Sequence, residues 1–233
     1  MLQIDQLNET SLLITFGHSI NATTLDTIQR FCYQLSRTCP LGLFKEVLPS
    51  YNTVMIEYHI DRINFDQLHH MIHQSYLAAK QLNHSQTTAN LVELPVYYAG
   101  PDLERIANRA KLTIEQVIQH HSTTLYRVYA IGFSPGFPYL GDVAQAIATP
   151  RLTTPRKQVA AGSVGIADNQ TGIYPHTSPG GWNIVGFCPQ PLLDQAYQCL
   201  LKVGDQVKFN AINRDEYLQL GGQLSDKLGG DWR

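Results

Sequence analysis

Residues 132–191 constrain this chain more than any other stretch: a glycine- and proline-dense run, GFSPGFPYLG…TPRKQVAAGSVGI…QTGIYPHTSPGGWNIVGFCP, almost without charge. Its 60 residues hold nine of the 17 glycines and eight of the 12 prolines, and only Asp142, Arg151, Arg156, Lys157 and Asp168 are charged. Glycine permits left-handed and tightly folded backbone, while proline fixes φ and donates nothing to a ladder. Such chain is either disordered filler or a rigid wall of loops around a site. The insertions Phe133, Phe137, Tyr139, Ile166, Ile173, Tyr174, Trp182 and Val185 decide between them, because disordered segments are poor in aromatic and branched residues. The run reads as structured, and function is expected there.

The remainder supplies conventional elements. Leu2 to Leu7 and Ser11 to Phe16 read as two strands joined through Asn8, and Leu25, Ile28, Cys32 and Leu35 recur at helical spacing. A second strand pair follows, Leu43 to Leu48 and Thr53 to His59, with Val54, Ile56 and Tyr58 on one face. Asn64 and Gln67 form a capping-box pattern ahead of the stripe Phe65, Leu68, Ile72 and Tyr76. These elements predict a small α+β sandwich over residues 1–88, with the polar QLNHSQTTAN (81–90) as linker. Leu91 to Tyr98 resumes strand character, and Pro95 places it at a sheet edge. Helices are expected at Asp102 to Ala110 and Ile114 to His121. Short strands with turn signals continue to QVKFN, which predicts a barrel or sandwich over 89–212. A short helix at Arg214 to Leu220 and a loose tail fill 213–233.

A chain of 233 residues with net charge −2 has room for one large or two small domains and shows no basic stripe for nucleic acid. The start MLQIDQLNET lacks the basic-then-apolar order of a signal peptide, and no run of 18 apolar residues occurs. Cys32, Cys39, Cys188 and Cys199 form no C-x-x-C pair and are expected as reduced thiols. A cytoplasmic protein is expected, with the sequons at Asn8, Asn21, Asn83 and Asn169 arising by chance.

Most candidate motifs fail on their own chemistry. Gly132-Phe133-Ser134-Pro135-Gly136 matches G-x-S-x-G, but that elbow needs an oxyanion-hole N–H from the residue after serine, and Pro135 has none. His69 and His73 stand one helical turn apart beside His70, yet they flank the apolar stripe and no further ligand is tied to them, so no metal is expected. His120 and His121 read as favourable dipole partners at a helix C-terminus. The helix IEQVIQHH carries no Lys or Arg for DNA. No Gly-Lys pair exists for a Walker loop, and no Met-Lys pair for biotin attachment.

Arg156 and Lys157 are open between two readings: a fork for a carboxylate or phosphate, and a solvated surface pair. Gly162-Ser163-Val164-Gly165 and Ser178-Pro179-Gly180-Gly181 can present backbone N–H groups to an anion, although structural turns use the same residues. Gln170, Thr171, Tyr174 and His176 add neutral hydrogen-bonding groups suited to an amide-like ligand.

These blocks, together with SLLITFG, PSYNTVMIEY, PDLERIANRAKLTIEQVIQHH, YRVYAIGF and GDQVKF, resemble the family of the 5-oxoprolinase B subunit, also described as KipI-like or allophanate hydrolase subunit 1. The order and spacing of GFSPGFPYLG, ATPRLTTPRKQVAAGSVGIA, QTGIYP and SPGGW carry the resemblance over almost the whole chain. Ser134 stands where the family commonly has Ala, Ala160 where it has Pro, and the loop between Tyr98 and Pro101 is short. The resemblance implies an α+β protein: an N-terminal sandwich followed by a cyclophilin-like β-barrel, similar to half of a carboxyltransferase unit. It also implies a chain inactive alone, working with a larger carboxyltransferase-type partner (the C component) and a lactam-using partner (the A component). The complex would convert 5-oxo-L-proline, ATP and water to L-glutamate, ADP and phosphate. This chain would bind no cofactor itself, ATP being used through a partner.

By position, Phe133, Phe137, Tyr139, Arg156, Ser163, Gln170, Thr171, Tyr174, Ser178, Gly180 and Trp182 would line the shared pocket, with Arg156 pairing a carboxylate or phosphate and the catalytic residue unassigned. The rival readings are a KipI-like inhibitor docking a sensor histidine kinase, a component of an allophanate- or urea-related amide hydrolase, and, by barrel analogy, a prolyl isomerase.

Overall fold

The computed structural model of the protein describes residues 2–82 and 89–223. Most of the expected linker, the sequon at Asn83 and the tail after 223 lie outside the described residues. The chain divides into two compact units, Met1–Ala89 and Asn90–Arg233.

In the first unit, strands β1 (Gln3–Asn8), β2 (Ser11–Thr15), β3 (Phe44–Ser50) and β4 (Thr53–Tyr58) form an antiparallel sheet in the order β1-β2-β4-β3. Alternation puts Leu12, Ile14, Val54, Ile56 and Tyr58 on the buried face. Helices α1 (Ala22–Thr38) and α2 (Phe65–Ala79) share that core through Ile28, Phe31, Leu35, Leu68 and Ile72. Phe31 is fully buried where helical spacing alone favours the neighbouring Cys32. Burial nonetheless pushes the Cys32 thiol up to about 12, so it stays protonated. Asn21 caps α1 by accepting from Thr24 N at 2.9 Å, and Asn64 with Gln67 forms the expected capping box of α2.

In the second unit, seven strands close a barrel: β5 (Leu91–Tyr97), β6 (Leu125–Ile131), β7 (Pro138–Gly141), β9 (Ser163–Ala167), β10 (Gln170–Ile173), β12 (Asn183–Phe187) and β13 (Gln206–Ile212). Their order is β10-β7-β6-β13-β5-β12-β9, with β5 and β13 parallel and the other pairs antiparallel. The edge position inferred from Pro95 is corrected: β5 lies between β13 and β12. The proline is tolerated because β12 meets β5 only at Phe187↔Tyr97, so no ladder bond toward β12 is lost at residue 95. In the first unit the rule holds in its usual form, with Pro49 on the edge strand β3.

Alternate residues of the barrel strands, including Leu94, Val128, Leu140, Ile166 and Phe209, fill the interior together with Ile106 of α3 (Leu103–Ala110) and Val117 of α4 (Ile114–Thr123). Thr113 and Gln116 form the capping box of α4. The opposite face of the wall carries a second cluster, Phe137, Ala167, Tyr174, Trp182, Ile184, Phe187 and Tyr217. A two-stranded ribbon of β8 (Arg156–Val159) and β11 (Ser178–Gly180) stands apart from the barrel sheet. Helix α5 (Arg214–Gln219) brings Tyr217 within 5.5 Å of Tyr97, ring to ring. Among the described residues, no helix is long and apolar enough to cross a membrane.

Candidate functional site

Phe137 is the hub of the outer cluster. Its ring makes four edge-to-face contacts, with Tyr139 at 5.1 Å, Tyr174 at 5.2 Å, Trp182 at 5.3 Å and Phe133 at 5.7 Å. Such pairs add about 0.5–1.5 kcal/mol each beyond area burial, so the cluster is a stiff platform. The loop before it is a tight turn in which Gly132 N donates to Phe137 O and Phe137 N to Ser134 O, both at 3.1 Å. Phe133 adopts φ +66°, a conformation costly for a bulky residue, and its side chain stands 68% exposed at the rim. Gly136, at φ +80°, takes a conformation that residues with a side chain rarely adopt, and a Cβ there would also crowd the Leu193 side chain at 2.8 Å. No helix follows Ser134, which removes the last structural element of a nucleophile elbow.

Above this platform is a pocket of about 250 Å³, walled by Phe133, Tyr139, Tyr174, Gly180 and Trp182 and by one cation, Arg151. The guanidinium lies over the Trp182 ring, 5.8 Å from its centroid. Its backbone is held on both sides: Pro150 O accepts from Asn183 Nδ2 at 3.0 Å, and Leu152 N donates to Gly181 O at 2.7 Å. Asn183 is itself fully buried and accepts from Arg105. Burial pushes the Tyr174 phenol up to about 12, against a hydrogen bond from the Trp182 backbone and the charges of Arg151 and Arg156. Tyr174 is therefore a proton-bearing donor and not a base. Gly180 makes room for it, since a Cβ would lie 2.3 Å from the hydroxyl.

Arg156 is elsewhere. Its Nη2 donates to Asp102 Oδ1 at 2.8 Å and its Nη1 to Trp182 O at 3.3 Å, with side chains 10% and 8% exposed for Arg156 and Asp102. Asp102 Oδ2 also accepts from Ile184 N at 2.7 Å. Both sequence readings of Arg156, ligand fork and solvated pair, give way to a buried strut that ties β8 to the start of α3 and to β12.

Ser163 and Thr171 are likewise fully buried. Ser163 Oγ has no hydrogen-bond partner among the described residues, whereas Thr171 Oγ1 donates to Gly165 O at 2.9 Å. Gln170 and Ser178 are half-buried and do not line the aromatic pocket. The pocket thus gathers Phe133, Phe137, Tyr139, Tyr174, Gly180 and Trp182 and leaves the other five candidates outside. Sequence reasoning missed Arg151. The signal was present, one of three cations in a sparsely charged aromatic run, but choosing between it and Arg156 required Asp102, 54 residues upstream of Arg156.

His121 also needs correction. It is fully buried, and burial lowers it to about 3, so it carries no charge for the helix dipole. Nε2 meets Thr171 Oγ1 at 2.9 Å, Nδ1 meets the Tyr98 hydroxyl at 2.7 Å, and Phe209 stacks on the ring at 4.8 Å. Thr171 gives its one proton to Gly165, so the hydrogen-bond inventory makes Nε2–H the donor to Thr171 and Tyr98 the donor to Nδ1. On α2, the His69 and His73 rings are 4.6 Å apart, and among the described residues no group of three or more metal-capable side chains forms.

A larger cavity of about 350 Å³ shares Tyr174 as a wall, but neutral side chains and backbone line it. Its thiol, Cys188, is pushed up to about 11 by burial and is no thiolate at neutral pH. The smaller pocket, with its cation and phenols, has the greater chemical capacity.

Residues 2–201 match the family described as carboxyltransferase domain, subdomain C and D. The chain is 34% identical over 229 residues to the 5-oxoprolinase B subunit of Bacillus subtilis (strain 168), spanning 92% of this chain and 95% of that one. Among solved structures, TTHA0988 superposes with a TM-score of 0.76 at 34% identity, over 91% of this chain but 40% of its own length. The K. lactis urea amidolyase, at 19% identity and a TM-score of 0.64, shares the fold over 92% of this chain and 15% of that one. By sequence match along most of its length and by its barrel, this chain belongs to the carboxyltransferase subdomain C and D family and, within it, to the family of the 5-oxoprolinase B subunit.

Proposed function

We propose that this chain is the B subunit of an ATP-dependent 5-oxoprolinase and contributes the aromatic pocket in which the lactam, or an intermediate of its opening, is held. The observation that carries the reading is the Arg151–Trp182–Tyr174 pocket, found in a chain that matches a 5-oxoprolinase B subunit over 95% of the relative's length. A five-membered lactam is flat, with apolar faces and a polar edge. Aromatic walls suit the faces, and a phenol with its proton retained can donate to the carbonyl as negative charge develops on oxygen. Amide hydrolysis adds the oxygen of water to the carbonyl carbon, breaks the ring C–N bond and delivers a proton to nitrogen. Opening this lactam runs against equilibrium, so ATP hydrolysis must drive it.

The described lining residues of this pocket include no carboxylate, imidazole or thiol. Tyr174, at about 12, cannot activate water at neutral pH. On this reading two companions supply the general base and the ATP site, one a larger carboxyltransferase-type protein and the other a lactam-using one. That TTHA0988 and the urea amidolyase contain the matching region as 40% and 15% of longer chains supports a unit that works beside further domains. The exposed Phe133 at the rim is the surface a companion would cover. Co-expression with both companions should give ATP-dependent release of glutamate from 5-oxo-L-proline, with none from the chain alone. Turnover by the purified chain without added protein would overturn the reading.

A further inference from the structure

We propose that Arg151 is the carboxylate-binding residue of the aromatic pocket and makes it selective for a small, flat, singly charged lactam acid over the neutral lactam. The proposal rests on the functional reading above and extends it to substrate recognition. Three observations carry it. Arg156 lies off the pocket wall, paired with Asp102, whereas Arg151 is the cation among the described lining residues, which bring no Asp or Glu to pair with it. The backbone on either side of Arg151 is fixed by the Asn183 and Gly181 hydrogen bonds, which anchor the exposed side chain's base beside the pocket. Finally, the guanidinium lies over Trp182, a mode of support that holds an arginine fork while leaving its N–H edge to a ligand.

The size fits the same ligand. At about 250 Å³ the pocket falls below the roughly 300–1,000 Å³ typical of sites for drug-sized molecules, which points to a small metabolite. With the carboxylate on Arg151, the ring lies among Phe137, Tyr139 and Trp182, and the Tyr174 hydroxyl is the donor for the lactam carbonyl. Sites built around a charged partner reject analogues lacking it far more strongly than apolar pockets reject a missing methylene.

Ligand-observed NMR titration of the full chain with 5-oxo-L-proline, 2-pyrrolidinone and inorganic phosphate tests this directly. The acid should bind at least about tenfold more tightly than 2-pyrrolidinone, and phosphate should compete poorly. Arg151→Ala should erase the gap between the lactams, and Arg151→Lys should restore only part of it, because an ammonium lacks the fork. In the assembled complex, Arg151→Ala should raise KM for 5-oxo-L-proline by about tenfold with a smaller change in kcat. The KM comparison decides where binding to the free chain is too weak to measure. Equal binding of the two lactams, phosphate binding as tight as the acid, or an unchanged KM in the variant would each overturn the assignment. A chain that discriminates the lactams while its wild-type complex releases no glutamate would sink the 5-oxoprolinase reading and leave Arg151 standing. An active complex indifferent to Arg151→Ala would do the reverse, and no binding with no activity would sink both.

Discussion

On the inner face of the barrel, Tyr98, His121, Thr171 and Gly165 pass hydrogen bonds along a closed line, each donor matched to one acceptor. On the outer face, Arg151 and Tyr174 stand at a pocket with no carboxylate among its described lining residues. Neighbouring residues of the same strands supply both: Leu140 points inward where Tyr139 lines the pocket, and Ile166 inward where Ala167 joins the outer cluster. Closed networks hold a fold together, whereas polar groups at an opening that lacks a counterion are available to a ligand. The buried Asp102–Arg156 pair belongs with the first kind, although sequence places Arg156 among the second.

The sharpest way to break that assignment is to remove one partner. Asp102→Ala removes the carboxylate facing the Arg156 guanidinium, whose side chain is 10% exposed, and strips the acceptor from Ile184 N. Loss of one member of a buried ion pair costs about 3–5 kcal/mol, and the double variant with Arg156→Met should recover much of it. Urea denaturation of the single and double variants measures both. A loss below about 1 kcal/mol in Asp102→Ala would return Arg156 to the solvent and reopen its candidacy as a ligand.

The inner network predicts a pH effect of intermediate size. Burial keeps His121 at about 3 in the folded chain against 6.5 when unfolded, so the unfolded chain binds the extra proton first as pH falls. Its contribution is intact above about pH 6.5 and is lost progressively toward pH 3, at about 1.4 kcal/mol per unit, or about 2 kcal/mol by pH 5. Unfolding of wild type and His121→Gln at pH 7 and pH 5 isolates the effect, since His73, also lowered, titrates in both proteins. Parallel pH dependence of the two proteins would mean that His121 reaches water.

Periodicity and caps made the first unit readable: Val54, Ile56 and Tyr58 alternate, and Asn64 with Gln67 announces α2. The aromatic content of residues 132–191 pointed to the pocket region, and Phe133, Phe137, Tyr139, Tyr174, Gly180 and Trp182 do converge there. What stayed hidden depends on partners distant in the chain. Nothing near Arg156 reveals Asp102, nothing near His121 reveals Thr171, 50 residues on, and nothing near Pro95 reveals how little β12 pairs with β5. Each error came from judging a polar or special residue by its sequence neighbours, when burial by remote strands sets its role.

The smallest expected effect sharpens the same lesson from the other unit. Lys45 and Glu57 form an ion pair at 3.0 Å, nearly as short as the 2.8 Å of Arg156 and Asp102, but their side chains are 43% and 35% exposed. In water-like surroundings the attraction is screened and must offset the ordering of two flexible side chains, leaving about 0–1 kcal/mol. Lys45→Ala should therefore lower the unfolding free energy from urea denaturation by no more than this, and the loss should vanish in high salt. A Lys45→Ala loss matching that of Asp102→Ala would show that distance, and not burial, governs the cost, and the contrast between the closed interior and the open pocket would lose its physical basis.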